Sequence, residues 1–156
     1  MNDLDAPLSP PATRAATEKI SLSRRTEPLR IALVEDNVAL RRLLALVLLR
    51  DGHDVVESGD AGGLLDLLAD GYVDTAATPI DLVICEQVLP GIVGLSLLSG
   101  LRAHDRRTPF ILITGDDTVQ IHARRLGAVV LDHPFTLAAI RRAVRQACDV
   151  PMAAND

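Results

Sequence analysis

The stretch Asp81-Leu-Val-Ile-Cys-Glu86 decides the fold, because four apolar residues stand in one unbroken run between two acids. A short apolar run without alternation is typical of a strand that is buried on both faces of a parallel sheet. The run Arg30-Ile-Ala-Leu-Val34 has the same character and is followed by Glu35 and Asp36. Both runs therefore predict inner strands that end in carboxylates.

On either side of these runs, short apolar segments alternate with longer helical segments, which is the pattern of repeated βα units. The predicted strands cover residues 30–34, 53–57, 80–85, 110–113 and 128–131. The first predicted helix follows a cap at Asn37 or Asp36 and continues to Arg50, where Gly52 stops it. The other helices are predicted around residues 64–68, at 95–102, at 118–126, and from a cap at Thr136 to about residue 148. A polar connection containing Asp74, Thr75 and Thr78 follows the second helix.

This order of elements predicts an α/β fold. We expect a flavodoxin-like, doubly wound sheet of five parallel strands in the order 2-1-3-4-5, with helices on both faces. Residues 1–28 are rich in proline and small residues and poor in large apolar ones, so we predict a flexible tail there. Residues 29–149 form the predicted folded domain, and residues 150–156 a short C-terminal tail. With no room for an output domain, we expect a stand-alone domain.

The composition excludes several classes of function. The chain has 156 residues and a formal charge of −5, which argues against nucleic-acid binding because phosphate contacts need a basic surface. The longest apolar run covers residues 43–49, whereas a membrane-spanning helix needs about 20 residues, so we expect no membrane insertion. The first residues carry acids and lack an apolar signal segment, which predicts a cytoplasmic protein. The two cysteines indicate neither a disulfide framework nor a zinc site.

Polar side chains collect where the predicted strands end. Glu35 and Asp36 close the first strand, Glu86 closes the third, Thr114 closes the fourth, and His133 follows the fifth. Ligands of doubly wound sheets bind outside the carboxyl ends of the strands, so these side chains are predicted to face one crevice. Crowded carboxylates suit a hard cation such as Mg²⁺. Each acid taken alone is also explained as a solvated residue or a helix cap.

With these residues the sequence resembles the receiver domain of two-component response regulators, the CheY-like family, over about residues 29–148. Glu35-Asp36 matches the acidic pair that holds Mg²⁺ in the family, and Glu86 stands at the phosphoacceptor position. Further matches are the loop Leu89-Pro-Gly91 with Gly94, the switch hydroxyl in Ile113-Thr-Gly115, and His133-Pro134-Phe135 in place of Lys-Pro-Phe with its usually cis peptide. The resemblance implies a weak Mg²⁺ site formed by Glu35, Asp36 and Glu86.

Two departures from the family pattern concern the chemistry. Glu86 replaces the phosphoacceptor aspartate, and a misplacement of about 1 Å costs on the order of 10²-fold in rate. His133 replaces the lysine that pairs with the phosphoryl group, so a permanent cation becomes an imidazole with a pKa of about 6.5. The segment 127–133 is one residue short and offers Val130 or Leu131 at the aromatic switch position.

We therefore predict a pseudo-receiver in a phosphorelay pathway that is not an enzyme and acts by protein–protein interaction without phosphorylation. Two hypotheses refine this prediction: Glu86 extends toward Thr114 and imitates the activated state, and His133 pairs with Glu86 and Asp36. One alternative is a slow, genuine phosphoreceiver that uses Glu86 or Asp36. Another is a metal-dependent phosphohydrolase, against which the sequence offers no evident nucleophile. The expected partner is a histidine kinase, another regulator or a localisation factor, with homodimerisation as a further option.

Other features carry weaker predictions. Residues 118–146, which include the fourth and fifth helices, contain five arginines against one acid, Asp132, which predicts either a basic partner face or solvated surface residues: Arg124, Arg125, Arg141, Arg142 and Arg145. The first helix is apolar almost all round, and we expect Leu43, Leu46 and Leu49 to pack beneath neighbouring loops, with dimerisation second. Cys85 is predicted to be a small core residue. His53, His104 and His122 show no metal-ligand spacing and are predicted to lie on the surface.

Overall fold

The computed structural model describes residues 27–73, 78–104 and 107–149. In this part of the chain the elements are β1 (Arg30–Val34), α1 (Val38–Arg50), β2 (Asp54–Ser58), α2 (Ala61–Val73), β3 (Leu82–Glu86), α3 (Gly94–His104), β4 (Phe110–Ile113), α4 (Asp117–Arg125), β5 (Val129–Leu131) and α5 (Leu137–Asp149). The predicted tails lie outside the described residues, apart from positions 27 and 28, and so do Asp74 and Thr75 of the predicted polar connection.

The strands form one parallel sheet in the order β2-β1-β3-β4-β5, which confirms the predicted fold class. Every residue of β3 is buried, as the unbroken apolar run predicted. One core lies between the sheet and helices α1 and α5, with Leu48 and Ile140 among its fully buried residues. A second core lies between the other face of the sheet and helices α2, α3 and α4, with Leu64 and Leu98 at its centre. Helices therefore cover both faces of the sheet.

The predicted helix signals act at the predicted places. Asn37 caps α1 by accepting the N–H of Leu40 through its side-chain oxygen at 3.0 Å. Thr136 caps α5 by accepting the N–H of Ala139 at 3.1 Å. Gly52 follows α1 with a φ of 94°, a conformation that glycine adopts without strain. The second helix is longer than predicted, because Gly62 and Gly63 lower the helix propensity while burial of its apolar side holds the first turn in place.

The structure corrects the prediction that His53 is a surface residue. His53 is 8% exposed, and its Nδ1 accepts the backbone N–H of Leu29 at 3.2 Å. Burial lowers the pKa of this imidazole below its usual value, and the charge of Asp51 opposes the shift only in part. His104 and His122 are exposed, as predicted.

The prediction that loops cover the leucines of α1 is also wrong. Leu43, Leu46 and Leu49 are 49%, 60% and 50% exposed. Leu44 and Leu48 supply the buried side of the helix, so an all-round apolar pattern here combines one packed side with one open side. Among the described helices, none is long and apolar enough to cross a membrane.

Candidate functional site

The sheet register brings the two acidic strand ends side by side. Val34 of β1 pairs with Cys85 of β3 in parallel register. The residues that follow them, Glu35 and Glu86, therefore lie at the same level of the sheet. Both acids are buried, whereas Asp36 is exposed. The charge of the neighbouring Glu86 raises the pKa of Glu35. Glu35 and Glu86 therefore lie side by side at the carboxyl edge of the sheet, and the acidic pocket of Glu35, Asp36 and Glu86 stays a prediction.

Glu35 is the most enclosed acid of this pocket, with 2% of its surface exposed. Its Oε1 accepts the backbone N–H of Asn37 at 2.9 Å, while its buried Oε2 has no hydrogen-bond partner in the described part of the chain. Burial is the largest cause that raises the pKa of Glu35 to about 7. The N–H of Asn37 lowers this pKa, and the charges of Glu86 and Asp36 raise it further.

The backbone of Glu35 is fixed by two neighbouring elements. Its N–H donates to the carbonyl oxygen of Ser58 at 3.1 Å, one residue beyond the end of β1. Its carbonyl oxygen accepts a hydrogen bond from Nη1 of Arg41 at 2.7 Å, and Nε of Arg41 lies 3.5 Å from the carboxylate of Glu57. The sequence gives Arg41 no signal beyond its position in the first turn of α1, four residues after Asn37, so its contact with Glu35 was not predicted.

Glu86 is paired with His133. Nε2 of His133 lies 2.9 Å from Oε2 of Glu86, across the gap between the ends of β3 and β5. The other carboxylate oxygen accepts the N–H of Gln87 at 3.1 Å and that of Val88 at 3.4 Å. The predicted pairing of His133 with Glu86 is thus confirmed, but no contact of His133 with Asp36 occurs among the described residues. The peptide between His133 and Pro134 is cis, as the resemblance implied.

The start of α3 is held tightly against the end of β3. A Cβ atom at Gly94 would lie 2.6 Å from the carbonyl oxygen of Glu86 and 2.7 Å from Cδ1 of Leu112, distances that only glycine avoids. Gln87 completes this contact, because its carbonyl oxygen accepts the N–H of Gly94 and its side chain accepts that of Leu95, both at 2.8 Å. Gly94 was predicted from the family pattern, whereas no sequence signal singled out Gln87.

The hydroxyl of Thr114, at the end of β4, hydrogen-bonds to the neighbouring backbone. Thr114 is buried, its Oγ1 accepts the N–H of Asp116 at 3.1 Å, and its carbonyl oxygen accepts a hydrogen bond from the side chain of Gln120 at 3.1 Å. Asp116 in turn caps α4 by accepting the N–H groups of Thr118 and Val119. In the described part of the chain, Glu86 hydrogen-bonds to His133 rather than to Thr114. This arrangement gives no support to the hypothesis that Glu86 reaches Thr114.

The carboxylates as arranged do not fit a metal ion. No group of three or more His, Cys, Asp or Glu side chains in the described ranges is placed to hold one. Both oxygens of Glu86 and one oxygen of Glu35 already accept hydrogen bonds, which leaves Oε2 of Glu35 as the unpartnered buried atom. Mg²⁺ prefers near-octahedral oxygen ligands, so binding would require Glu86 to leave His133. The predicted Mg²⁺ site of Glu35, Asp36 and Glu86 stays a prediction that demands this rearrangement.

The arginines of α4 and α5 lie on two helices that pack on opposite faces of the sheet. Arg141 pairs with Asp51 at the end of α1 through Nε and Nη2, at 2.8 and 3.1 Å. The other four are exposed: Arg124, Arg125, Arg142 and Arg145. Because α4 and α5 pack on opposite faces of the sheet, these residues flank β5 from two sides. Their role as a partner face stays a prediction.

Comparison with known proteins identifies the family. The profile of the response regulator receiver domain matches residues 31–145, which span all five strands of the sheet. The chain belongs to the response regulator receiver family. The transcriptional regulatory protein FixJ of Azorhizobium caulinodans is 34% identical over 124 residues, which cover 76% of this chain and 54% of FixJ.

Two further relatives illustrate the range of proteins that contain such a receiver. The sensor histidine kinase AruS of Pseudomonas aeruginosa is 35% identical over 151 residues, or 87% of this chain and 14% of AruS. The structure of the chemotaxis response regulator CheY4 of Vibrio cholerae superimposes with a TM-score of 0.65 and covers 77% of this chain and 98% of its own; at 18% identity it supports the fold alone. This receiver thus spans about half or less of the length of FixJ and AruS.

Proposed function

We propose that this receiver domain works in two-component signalling by binding another protein without first being phosphorylated. The hydrogen bond between Glu86 and His133 is the observation that carries this proposal. In the receiver pattern the acceptor carboxylate attacks phosphorus while a lysine neutralises the incoming charge. Here the carboxylate at that position belongs to a longer side chain, and an imidazole occupies the lysine position.

The geometry supports the proposal that phosphoryl transfer to Glu86 is disfavoured. Catalysis of phosphoryl transfer rests almost entirely on positioning and on stabilisation of the transferred charge. Both oxygens of Glu86 accept hydrogen bonds, so an attack on phosphorus would first break the contact with His133. Breaking it would also leave a mostly buried carboxylate with one partner fewer, which is costly because unpaired buried charges are strongly penalised. The internal pair therefore stabilises an unmodified pocket.

Output then depends on contacts with another signalling protein, for which a histidine kinase, a second regulator and a localisation factor are the candidates. The names of the relatives support this range, since one is a sensor histidine kinase and another a transcriptional regulatory protein. Homodimerisation is the further option. The cytoplasmic location and the stand-alone action stay predictions from the sequence, as does the absence of nucleic-acid and enzymatic functions.

A phosphodonor experiment tests the proposal. The protein is incubated with acetyl phosphate and Mg²⁺, and its intact mass is measured. We expect no added phosphoryl group on the native chain. The double variant Glu86→Asp/His133→Lys, which restores both family residues, serves as the positive control and should gain one.

A phosphoryl group on the native chain would instead establish a slow phosphoreceiver. Glu86→Gln and Asp36→Asn variants would then show which carboxylate accepts it. Turnover of a generic phosphoester with Mg²⁺ in the same sample would establish the phosphohydrolase. Either result contradicts the proposed function.

A further inference from the structure

Residues 87–101 contain no charged side chain and form the longest such run in the chain. They cover the loop between β3 and α3 and the first two turns of α3. The charged residues at either end have partners inside the molecule: Glu86 is buried against His133, and the guanidinium of Arg102 donates to two backbone carbonyl oxygens. The exposed residues between Val88 and Gly100 therefore form an uncharged patch on the surface.

Two valines form the apolar centre of the uncharged patch. Val88 is 71% exposed, more than any other large apolar side chain in the described part of the chain, and Val93 is 43% exposed. They pair in an antiparallel bridge, which places their side chains next to each other on one side of the loop. Leu89 is buried in the second core and anchors the loop. Adjacent exposed apolar side chains on an anchored loop are typical of a contact surface.

The loop is also hydrogen-bonded to the pocket. The N–H groups of Gln87 and Val88 donate to Oε1 of Glu86 at 3.1 and 3.4 Å. The N–H of Gly94, at the start of α3, donates to the carbonyl oxygen of Gln87 at 2.8 Å. The uncharged patch and the carboxylate that pairs with His133 thus belong to one hydrogen-bonded unit.

The net charge of the protein indicates which occupant suits the uncharged patch. Two copies that each have a formal charge of −5 repel each other. A two-fold contact brings the same patch of both copies face to face, so a charge on that patch meets its like. A contact without charges avoids this repulsion. The eight residues of α3 within the run extend over about 12 Å, which exceeds the Debye length of about 8 Å at physiological salt.

Other occupants use the uncharged patch less well. A different protein of either charge gains no electrostatic complementarity from a surface without charges, although such complementarity normally sets orientation and specificity. An anionic lipid surface attracts basic residues next to the apolar contact, and residues 87–101 contain none. A second copy of this chain is the occupant for which the absence of charge is an advantage.

We propose that the uncharged patch is an interface between two copies of this chain. The loop before α3 and the first turns of α3 face their counterparts across a two-fold axis, with Val88 and Val93 at the centre. Only residues 87–101 contribute, whereas a standard interface uses about 20–30 residues a side, so the dimer is weak and depends on concentration. The interface requires no phosphoryl group on Glu86 and is independent of the proposed function.

Sedimentation equilibrium of the full chain tests this interface at protein concentrations from about 5 to 500 µM. We expect a reversible equilibrium between monomer and dimer. The association constant should rise between about 0.05 and 0.5 M NaCl, because salt screens the repulsion between two negatively charged copies. An interface held by opposite charges would show the contrary dependence on salt.

Matched valine substitutions locate the interface. Val88→Glu should weaken association at least about tenfold, because it places like charges on facing patches. Val38→Glu changes the net charge equally at a valine of α1 that is 53% exposed, and it should have little effect. Both valines are exposed, and urea unfolding of each variant verifies that it is folded.

A mixture of two variants tests the symmetry of the contact. Val88→Lys alone should weaken association as Val88→Glu does, since each variant again faces its like. An equimolar mixture of the two should associate at least about tenfold more tightly than either variant alone, because glutamate then faces lysine.

Four results would overturn the inference. The first is a monomer at every concentration, and the second is an association constant that falls with salt. The third is a dimer that survives Val88→Glu but is lost in Leu46→Glu or Ile121→Glu, which would place the contact on α1 or α4. The fourth is a mixture of the two Val88 variants that associates no more tightly than either variant alone.

Discussion

Substitution of Gly94 by alanine should loosen the junction that positions Glu86. The added Cβ would lie 2.6 Å from the carbonyl oxygen of Glu86 and 2.7 Å from Leu112, so the start of α3 must move away from β3. Overpacking of this kind lowers the free energy of unfolding by about 1–3 kcal/mol, and the higher helix propensity of alanine offsets part of this loss. We expect a net loss of about 1–2 kcal/mol in the free energy of unfolding.

Gly100 in the same helix provides the matched control. Apart from its chain neighbours and the backbone of its own helix, no heavy atom lies within 4 Å of a Cβ built at this position, so Gly100→Ala should raise the free energy of unfolding by about 0.5–1 kcal/mol. The two alanine variants should therefore differ by about 2 kcal/mol in urea unfolding with unchanged m-values. The imidazole NMR signals of His133 should shift in Gly94→Ala and stay in place in Gly100→Ala. Equal stability of the two variants would refute the close contact at Gly94.

Three further predictions concern other parts of the fold. Asn37→Ala should lower the free energy of unfolding by about 1 kcal/mol, because it removes the side-chain cap of α1; Asn37→Asp, measured alongside, should retain most of the stability. The pKa of His53 is lowered in the folded state, so the unfolded chain binds a proton at a higher pH than the folded chain does. Protonation therefore favours the unfolded chain, and the free energy of unfolding decreases as the pH falls below 6.5. The difference in stability between native protein and His53→Gln should consequently shrink from pH 7.5 to pH 5.5 in urea titrations, and a constant difference would contradict it. Burial, with the charges of Glu86 and Glu35, raises the pKa of Cys85 to about 12, so iodoacetamide should modify Cys148 well before Cys85 in the folded protein, as read by peptide mass.

The strand pattern was sufficient to predict the sheet. Unbroken runs such as that ending at Val34 are explained by burial on both faces, and the strand order of the sheet is the one expected for a flavodoxin-like fold. The pocket followed from the same logic, because residues next to strand ends in one parallel sheet share an edge. The pairing of Glu86 with His133 was predicted for this reason.

Hydrogen bonds between side chains and the backbone of other segments could not be predicted from the sequence. Arg41 donates to the carbonyl oxygen of Glu35, Gln120 to that of Thr114, and Gln87 accepts the N–H of Leu95. A backbone group has the same chemistry at every position, so nothing in the side-chain sequence shows which group a polar side chain meets. His53 was misjudged for the same reason, since its partner is the N–H of Leu29.

The exposed leucines of α1 illustrate a different limit. Periodicity identifies a helix and its most apolar side, but it cannot show how wide a strip the neighbouring elements cover. Here α5 and the sheet cover Leu44 and Leu48, and Leu46 stays open.

The pocket has an enclosed half around Glu35 and an accessible half around His133. The N–H and carbonyl oxygen of Glu35 are tied to β2 and to α1, and its side chain is enclosed. The side chain of His133, in contrast, is 41% exposed and sits on the connection between β5 and α5. The accessible half of this pocket therefore lies on the β5 side of the molecule.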